Sequence, residues 1–214
     1  MEIYKKIPLG KILKGKFLKI ARTQDFILIE LLRKFDFVIH GDTAIWRIYG
    51  GKRFSYDIDI YHKNPQEVMK WFSSMKSLTL IRKRLTPSNV LYVKLKDEEI
   101  VEVEVSPLFK KIKPVEGEFV LTDGSTLVVK TLSPEDLLKE KAAAFINRKK
   151  ARDLYDVYYL IDFCDKEKIK INLSALLKQL KKPKDFEGLK DLILVGKAPS
   201  FETIFKKVKM YAES

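Results

Sequence analysis

The 214-residue chain contains a single cysteine and only two histidines. Cys164 alone can form no internal disulfide and no thiolate zinc site, and it is expected in the core. His40 and His62 are too far apart in sequence to suggest a ligand pair, and each is expected as a satisfied strand-end residue. Long apolar runs are absent too. Phe26-Ile27-Leu28-Ile29 is cut short by charge, and nothing approaches the roughly 18 residues of a membrane span. Met1-Glu2-Ile3-Tyr4-Lys5-Lys6 shows neither the apolar core nor the small-residue cleavage site of a signal peptide, so a soluble, cytoplasmic protein is expected. Side-chain amides are scarce, with three Gln and four Asn. Beside many Lys, Glu and Ile, that scarcity leans towards a thermophile.

Hydrophobic residues make up 46% and charged residues 33% of the chain, enough for a core and too apolar for disorder. Lys and Arg number 42 against 29 acids, a formal charge of +13. Such an excess suits polyanionic partners, nucleic acid first and an acidic membrane surface second, although part of it fits thermophile adaptation. Residues 5–22 carry Lys5, Lys6, Lys11, Lys14, Lys16, Lys19 and Arg22 and no acid. That run reads either as a nucleic-acid contact or as a solvated face.

Apolar spacing predicts a helix over 17–34, a short strand over 37–40, and a helix over 42–49 capped by Asp42 or Thr43 and stopped by Gly50-Gly51. Strand alternation follows over 55–61, a helix over 64–76, strands over 78–84, 90–96 and 100–105, and a hairpin over 119–122 and 127–132. At Ser133-Pro134-Glu135-Asp136 the texture changes, serine before proline being a helix start. Helices are expected over 134–147, 150–162, 174–181, 184–195 and 200–212. The fold class is therefore α/β (α+β): a mixed sheet with flanking helices over residues 1–132, then a helical domain over 133–214. Tyr155, Tyr158 and Tyr159, at helical spacing, and Trp46 and Trp71 are expected in the core, with base stacking the other use of the tyrosines.

The chemistry concentrates in His40-Gly41-Asp42-Thr43-Ala44 and Arg53-Phe54-Ser55-Tyr56-Asp57-Ile58-Asp59-Ile60. Alternation along a strand points Ser55, Asp57 and Asp59 to one face. Neighbouring carboxylates repel, and a cation between them relieves the cost. All-oxygen ligation suits Mg²⁺, which bridges carboxylates to substrate phosphates. Glu102 and Glu104 share one face of Val101-Glu102-Val103-Glu104-Val105, and either could add a third acid. Gly41, before a helix, offers backbone N–H groups to a triphosphate.

Gly41-Asp42-Thr43-Ala44 followed by Arg53-x-Ser55-x-Asp57-Ile58-Asp59 resembles the first motif of DNA polymerase β-like nucleotidyltransferases. More narrowly it is similar to AbiEii/AbiGii-type toxin nucleotidyltransferases. Lys139-Glu140-Lys141-Ala142-Ala143-Ala144 with Arg148, then Ala151-Arg152-Asp153-Leu154-Tyr155-Asp156, resembles that family's lysine helix and Arg-Asp-x-x-Asp helix. The resemblance covers about residues 25–162, and residues 163–214 match nothing recognisable. It implies transfer of a nucleoside monophosphate from an NTP to an acceptor hydroxyl with Mg²⁺ or Mn²⁺, on RNA and in particular the tRNA acceptor end, with an antitoxin as partner. Asp57, Asp59 and Glu104 would hold metal, and Gly41, Thr43, Arg53, Ser55, Lys141 and Arg148 would contact nucleotide. Asp156, with Asp153 beside it, would be the acidic residue of the last motif. A small-molecule or protein acceptor, or a catalytically silent RNA- or protein-binding relative, are the competing readings. Asp42 stands where that family usually has Gly or Ser, and is expected to cap its helix or pair with Arg47 or Arg53. If residues 135–162 formed one helix, Lys141 and Asp156 would lie about 22 Å apart. For both to serve one site the helix must break at Asn147-Arg148-Lys149-Lys150, asparagine tolerating a left-handed turn. Asp156 would then return to Lys141, the pair facing Asp57 and Asp59 across a cleft.

Overall fold

The computed structural model describes residues 8–109 and 111–213. Lys5, Lys6 and the remaining first residues lie outside the described residues. The chain divides into two compact units, one of residues up to Gly50 with Ser55–Leu132, the other of Gly51–Phe54 with Ser133–Ser214.

The first unit runs α1 (Leu9–Ile12), α2 (Gly15–Lys34), β1 (Val38–His40), α3 (Gly41–Arg47), β2 (Ile58–His62), α4 (Pro65–Ser74), β3 (Thr79–Leu85), β4 (Leu91–Lys96), β5 (Ile100–Pro107), β6 (Val115–Val120) and β7 (Thr126–Thr131). The strands form one mixed sheet in the order β3-β4-β5-β2-β1-β7-β6. β2 lies parallel to β5 and β1 parallel to β7, and the remaining neighbours are antiparallel. Period-two alternation gives the central strands two unlike faces. Leu91, Val93, Leu95, Val101, Val103, Val105, Ile58 and Ile60 are buried, while Glu102, Glu104 and Asp59 alternate with them at half-buried positions. Helix α2 packs on β5 and α4 on β3, β4 and β5. Burying each such aliphatic side chain contributes about 1.5–3 kcal/mol.

The buried stripe of α2 includes Ile20, Ile27, Leu28 and Leu31 at helical spacing, with Gln24 and Asp25 buried beside them. Asp25 receives the guanidinium of the fully buried Arg47, which also donates to the Val120 carbonyl at 2.7 Å. That guanidinium carbon lies 4.9 Å from the centre of the Trp46 ring and 4.6 Å from that of Phe119. Burial raises the Asp25 carboxyl above its ordinary range, against the pull of Arg47, and lowers the guanidinium likewise.

Two local expectations are corrected here. The N-cap of α3 is His40, whose side chain makes no capping hydrogen bond, so Asp42 and Thr43 lie inside the first turn rather than at the cap. The strand expected over 55–61 starts only at Ile58, because side chains rather than a neighbouring strand take the carbonyls of Ser55 and Asp57. His62, closing β2, accepts from the Asn64 amide at 3.1 Å, and His40 stacks on Tyr61.

The second unit holds α5 (Pro134–Arg148), α6 (Ala151–Leu160), a 3₁₀ turn at Ile161–Phe163, α7 (Lys166–Leu177), a 3₁₀ stretch at Phe186–Leu192 and α8 (Phe201–Glu213). The Ser133 hydroxyl accepts from the Asp136 amide at 3.2 Å and starts α5. Helix α7 begins eight residues before the expected 174 because Asp165 caps it, accepting from the Glu167 amide. Ile169 and Ile171 mimic strand alternation there, yet Ile169 is buried and Ile171 is 78% exposed. In place of an α-helix over 184–195, the Phe186 amide bonds the Pro183 carbonyl three residues back, and the stretch winds as 3₁₀. Segment Gly51–Phe54 is tied into this unit by an Arg53–Ile193 bridge, the Phe54 amide on the Leu192 carbonyl (3.0 Å) and the Leu194 amide on the Lys52 carbonyl (2.8 Å). Among the described residues no helix is long and apolar enough to cross a membrane.

Candidate active site

Strand register lines up one polar row across the sheet. Arg84 pairs with Tyr92, Tyr92 with Glu104, Glu104 with Asp59 and Asp59 with His40. Side chains directly opposite on adjacent strands share a face, their Cβ atoms about 5 Å apart. Asp59 and Glu104 are therefore neighbours, with Asp57 two residues before Asp59 and already outside the strand. Glu104 accepts from the Ser106 hydroxyl at 3.1 Å and is hydrogen-bonded by the Tyr92 phenol. Burial, then the Glu104 charge, pushes that phenol up, and Arg84, 4.8 Å over the ring, pulls it back. Glu102 stands one row away, paired with Lys94 at 3.3 Å.

Gly41 explains itself on this geometry. Its φ is +68°, and a Cβ placed there would lie 2.1 Å from the Asp59 Oδ2. Only glycine lets the carboxylate rest against the turn that opens α3.

Thr43 and Ser55, expected at the nucleotide, are buried and joined, Thr43 Oγ1 to Ser55 Oγ at 2.8 Å. The Thr43 hydroxyl also donates to the Asp57 carbonyl. Gln24 Nε2 donates to the Ser55 carbonyl at 3.0 Å and reaches the Asp57 carbonyl at 3.5 Å.

Could these acids hold a metal? Among the described residues no three His, Cys, Asp or Glu side chains cluster closely enough to cage an ion. Mg²⁺ takes one or two carboxylates and completes its shell with water and substrate phosphates. Asp59 and Glu104, adjacent, oxygen-only and half-buried, with Asp57 just upstream, fit that donor set.

The helical unit assembles a second group. Helix α5 ends at Lys149, which is left-handed (φ 52°, ψ 41°), and α6 starts at Ala151. The break falls within the expected four residues, but at Lys149 rather than Asn147. Asp185 accepts from the Ala151 amide and pairs with Lys150, and Lys149 Nζ reaches Gln179, so the corner is held from outside its own sequence. The turn brings Lys141 Nζ to 3.7 Å from Asp156 Oδ2. Asp156 also takes both prongs of the Arg53 guanidinium, at 3.1 and 2.8 Å. All three side chains are buried. Arg148 forks onto the buried Asp153 at 2.7 and 2.6 Å, tying the end of α5 to the first turn of α6.

A family model, the nucleotidyl transferase AbiEii toxin of type IV toxin–antitoxin systems, matches residues 92–207, more than half of the chain. The chain belongs to the AbiEii family. The match extends past residue 162, where the recognisable resemblance ended, and takes in α7 and half of α8. Solved structures agree on the fold. A Helicobacter pylori protein described as a nucleotidyltransferase shares 19% identity at a TM-score of 0.64, covering 94% of this chain and 95% of that one. JHP933, also from Helicobacter pylori, shares 18% at 0.61 over 94% and 92%. MenT4, a nucleotidyltransferase toxin of Mycobacterium tuberculosis, shares 15% at 0.65 over 90% and 81%. No curated protein matches the sequence. Sequence reasoning about this AbiEii chain overlooked Gln24, Tyr92 and Ser106. Of these, Gln24 left a signal: an amide set into the apolar stripe of α2.

Proposed function

We propose that this AbiEii-family nucleotidyltransferase moves a nucleoside monophosphate from an NTP to an RNA hydroxyl, in particular the tRNA acceptor end, and depends on Mg²⁺ or Mn²⁺. The observation that carries the metal reading is the pairing of Asp59 with Glu104 in register, with the Asp59 carboxylate against Gly41. Asp57, Asp59 and Glu104 would hold the metal, which when bound polarises phosphoryl oxygens and acidifies an attacking hydroxyl. Ser106 and Tyr92 orient Glu104. Lys141 would meet the triphosphate, and Asp156, 3.7 Å from its Nζ, holds that lysine in place. Arg53 and Arg148 serve through Asp156 and Asp153, holding the helical corner.

The RNA reading draws support from the same sheet face. Arg82 and Arg84 are exposed on β3, aligned with Lys94 and Tyr92. From Asp59 to Arg84 is three strand spacings, about 14 Å at about 4.8 Å each, so a backbone reaching the acids passes these cations. Membership of a type IV toxin family supports an antitoxin protein as partner and action in the cytoplasm, where NTPs and tRNA are found.

Incubation with each labelled NTP, Mg²⁺ and total tRNA tests the proposal. Label should pass to tRNA with at least one NTP, vanish with EDTA, and vanish in Asp57→Ala and Asp59→Ala. Glu104→Gln should be impaired more than Glu102→Gln. Label on protein or small molecules instead would replace the RNA acceptor, and full activity in either Asp variant would remove the metal reading.

A further inference from the structure

We infer that Gln24 and Thr43 are positioning residues that set the backbone of the metal-holding acid Asp57. The inference rests on the metal reading above. Residues 55–57 precede β2 and lie before its paired register with β1 and β5. Buried carbonyls need donors, and an orphaned one costs about 1–3 kcal/mol. At Ser55 and Asp57 side chains from two different helices supply those donors. Gln24 Nε2, on α2, spans both carbonyls, at 3.0 and 3.5 Å. Thr43 Oγ1, on α3, meets the Asp57 carbonyl and the Ser55 hydroxyl.

Both side chains are fully buried, so neither is spent on solvent. Gln24 is fully buried in line with Ile20, Ile27 and Leu31, where leucine would pack at no desolvation cost. Its Oε1 finds no partner among the described residues. The amide is thus retained at a local penalty, and what it holds is the turn that delivers Asp57. The helical spacing of Gln24 from Ile20 and Ile27 aims it at the sheet, and the three-residue start of α3 aims Thr43 at the same carbonyl. The direction of the Asp57 carboxylate follows from a backbone that these two donors fix.

The full chain is compared with Gln24→Leu, Thr43→Val, Thr43→Ser, Asp57→Asn and Thr23→Val. Thr23, next to Gln24, donates nothing to this turn; it accepts from the Glu99 amide at 3.2 Å and serves as the stability control. Two readouts are taken without turnover: Mn²⁺ binding by electron paramagnetic resonance, and hydrogen exchange of peptides covering residues 53–58 in metal-free protein. Gln24→Leu and Thr43→Val should speed exchange in that peptide and weaken Mn²⁺ binding about 10–100-fold, the usual cost of losing an outer-shell partner. They should lower kcat more than they raise KM for NTP. Thr43→Ser, which keeps the hydroxyl, should recover most of the binding, and Thr23→Val should lose stability with parental exchange and binding. Should Gln24→Leu fail to fold, the Thr43 pair decides alone. Parental exchange and Mn²⁺ affinity in folded Gln24→Leu and Thr43→Val would overturn the inference. Parental Mn²⁺ affinity in Asp57→Asn would instead overturn the metal reading, while faster exchange in the other two variants would still support the positioning of the turn.

Discussion

Charge burial at single residues sets the sharpest expectations. Asp156 joins Arg53 and Lys141 in the helical unit, all with little exposure. Removing one partner of a buried pair typically costs about 3–5 kcal/mol, because the other charge stays desolvated. Asp156→Asn should therefore lower stability by about that amount in denaturant melts, besides any loss of transfer. The double variant Arg53→Met with Asp156→Asn should recover part of it, and strictly additive losses would show the pair uncoupled. Cys164 gives a pH expectation. Burial, then the Glu135 charge, pushes its thiol up to about 12. The thiolate is the nucleophile, so at pH 8 native Cys164 should react with a disulfide reagent about 10³-fold more slowly than an unfolded thiol with pKa near 8.5. The rate should climb tenfold per pH unit through pH 10. Equal rates in native and unfolded protein would show the thiol unperturbed.

Secondary elements are held at their ends by partners distant in sequence. The corner between α5 and α6 passes through a left-handed lysine, which costs a non-glycine residue about 1–2 kcal/mol. Lys149→Gly relieves that strain while giving up a surface hydrogen bond to Gln179 and some unfolded-state entropy. The net effect should be a gain of about 0.5–1 kcal/mol, read as a higher denaturant midpoint with transfer unchanged. A lower midpoint would mean that the Gln179 hydrogen bond and chain entropy outweigh the strain. Most elements were legible because their periodicity is clean: α2, α4, β3 to β5 and α5 lie within two residues of their expected bounds. Helix α7 was not, since Lys168-Ile169-Lys170-Ile171 alternates like a strand and only packing of Ile169 decides between the periods.

For the molecule as a whole, the +13 charge makes salt dependence the discriminating measurement. Lys11, Lys14, Lys16, Lys19 and Arg22 are exposed, Arg22 within 3.8 Å of Glu98, as are Arg82 and Arg84. If β3 follows an RNA backbone, replacing Arg82 and Arg84 by Gln should reduce the slope of log K against log salt by nearly one for each phosphate left without its cation, with NTP binding unchanged. The same replacement of Lys14, Lys16 and Lys19 tests the other basic face. An unaltered slope in both sets leaves these cations as a solvated surface.

The amino-acid sequence alone determined the family, the order of the acids, the two-faced strands and the switch to helices at Ser133-Pro134. Those properties are local, carried by spacing within a few residues, and survive without knowledge of neighbours. Tertiary structure alone decided the partners: Arg47 for Asp25, Arg53 for Asp156 across 103 positions, and Gln24 for the carbonyls of Ser55 and Asp57. Which charge meets which is a question of shared desolvation. A buried cation or carbonyl must be satisfied by whatever side chain the fold brings alongside, and no periodicity in the sequence encodes that choice.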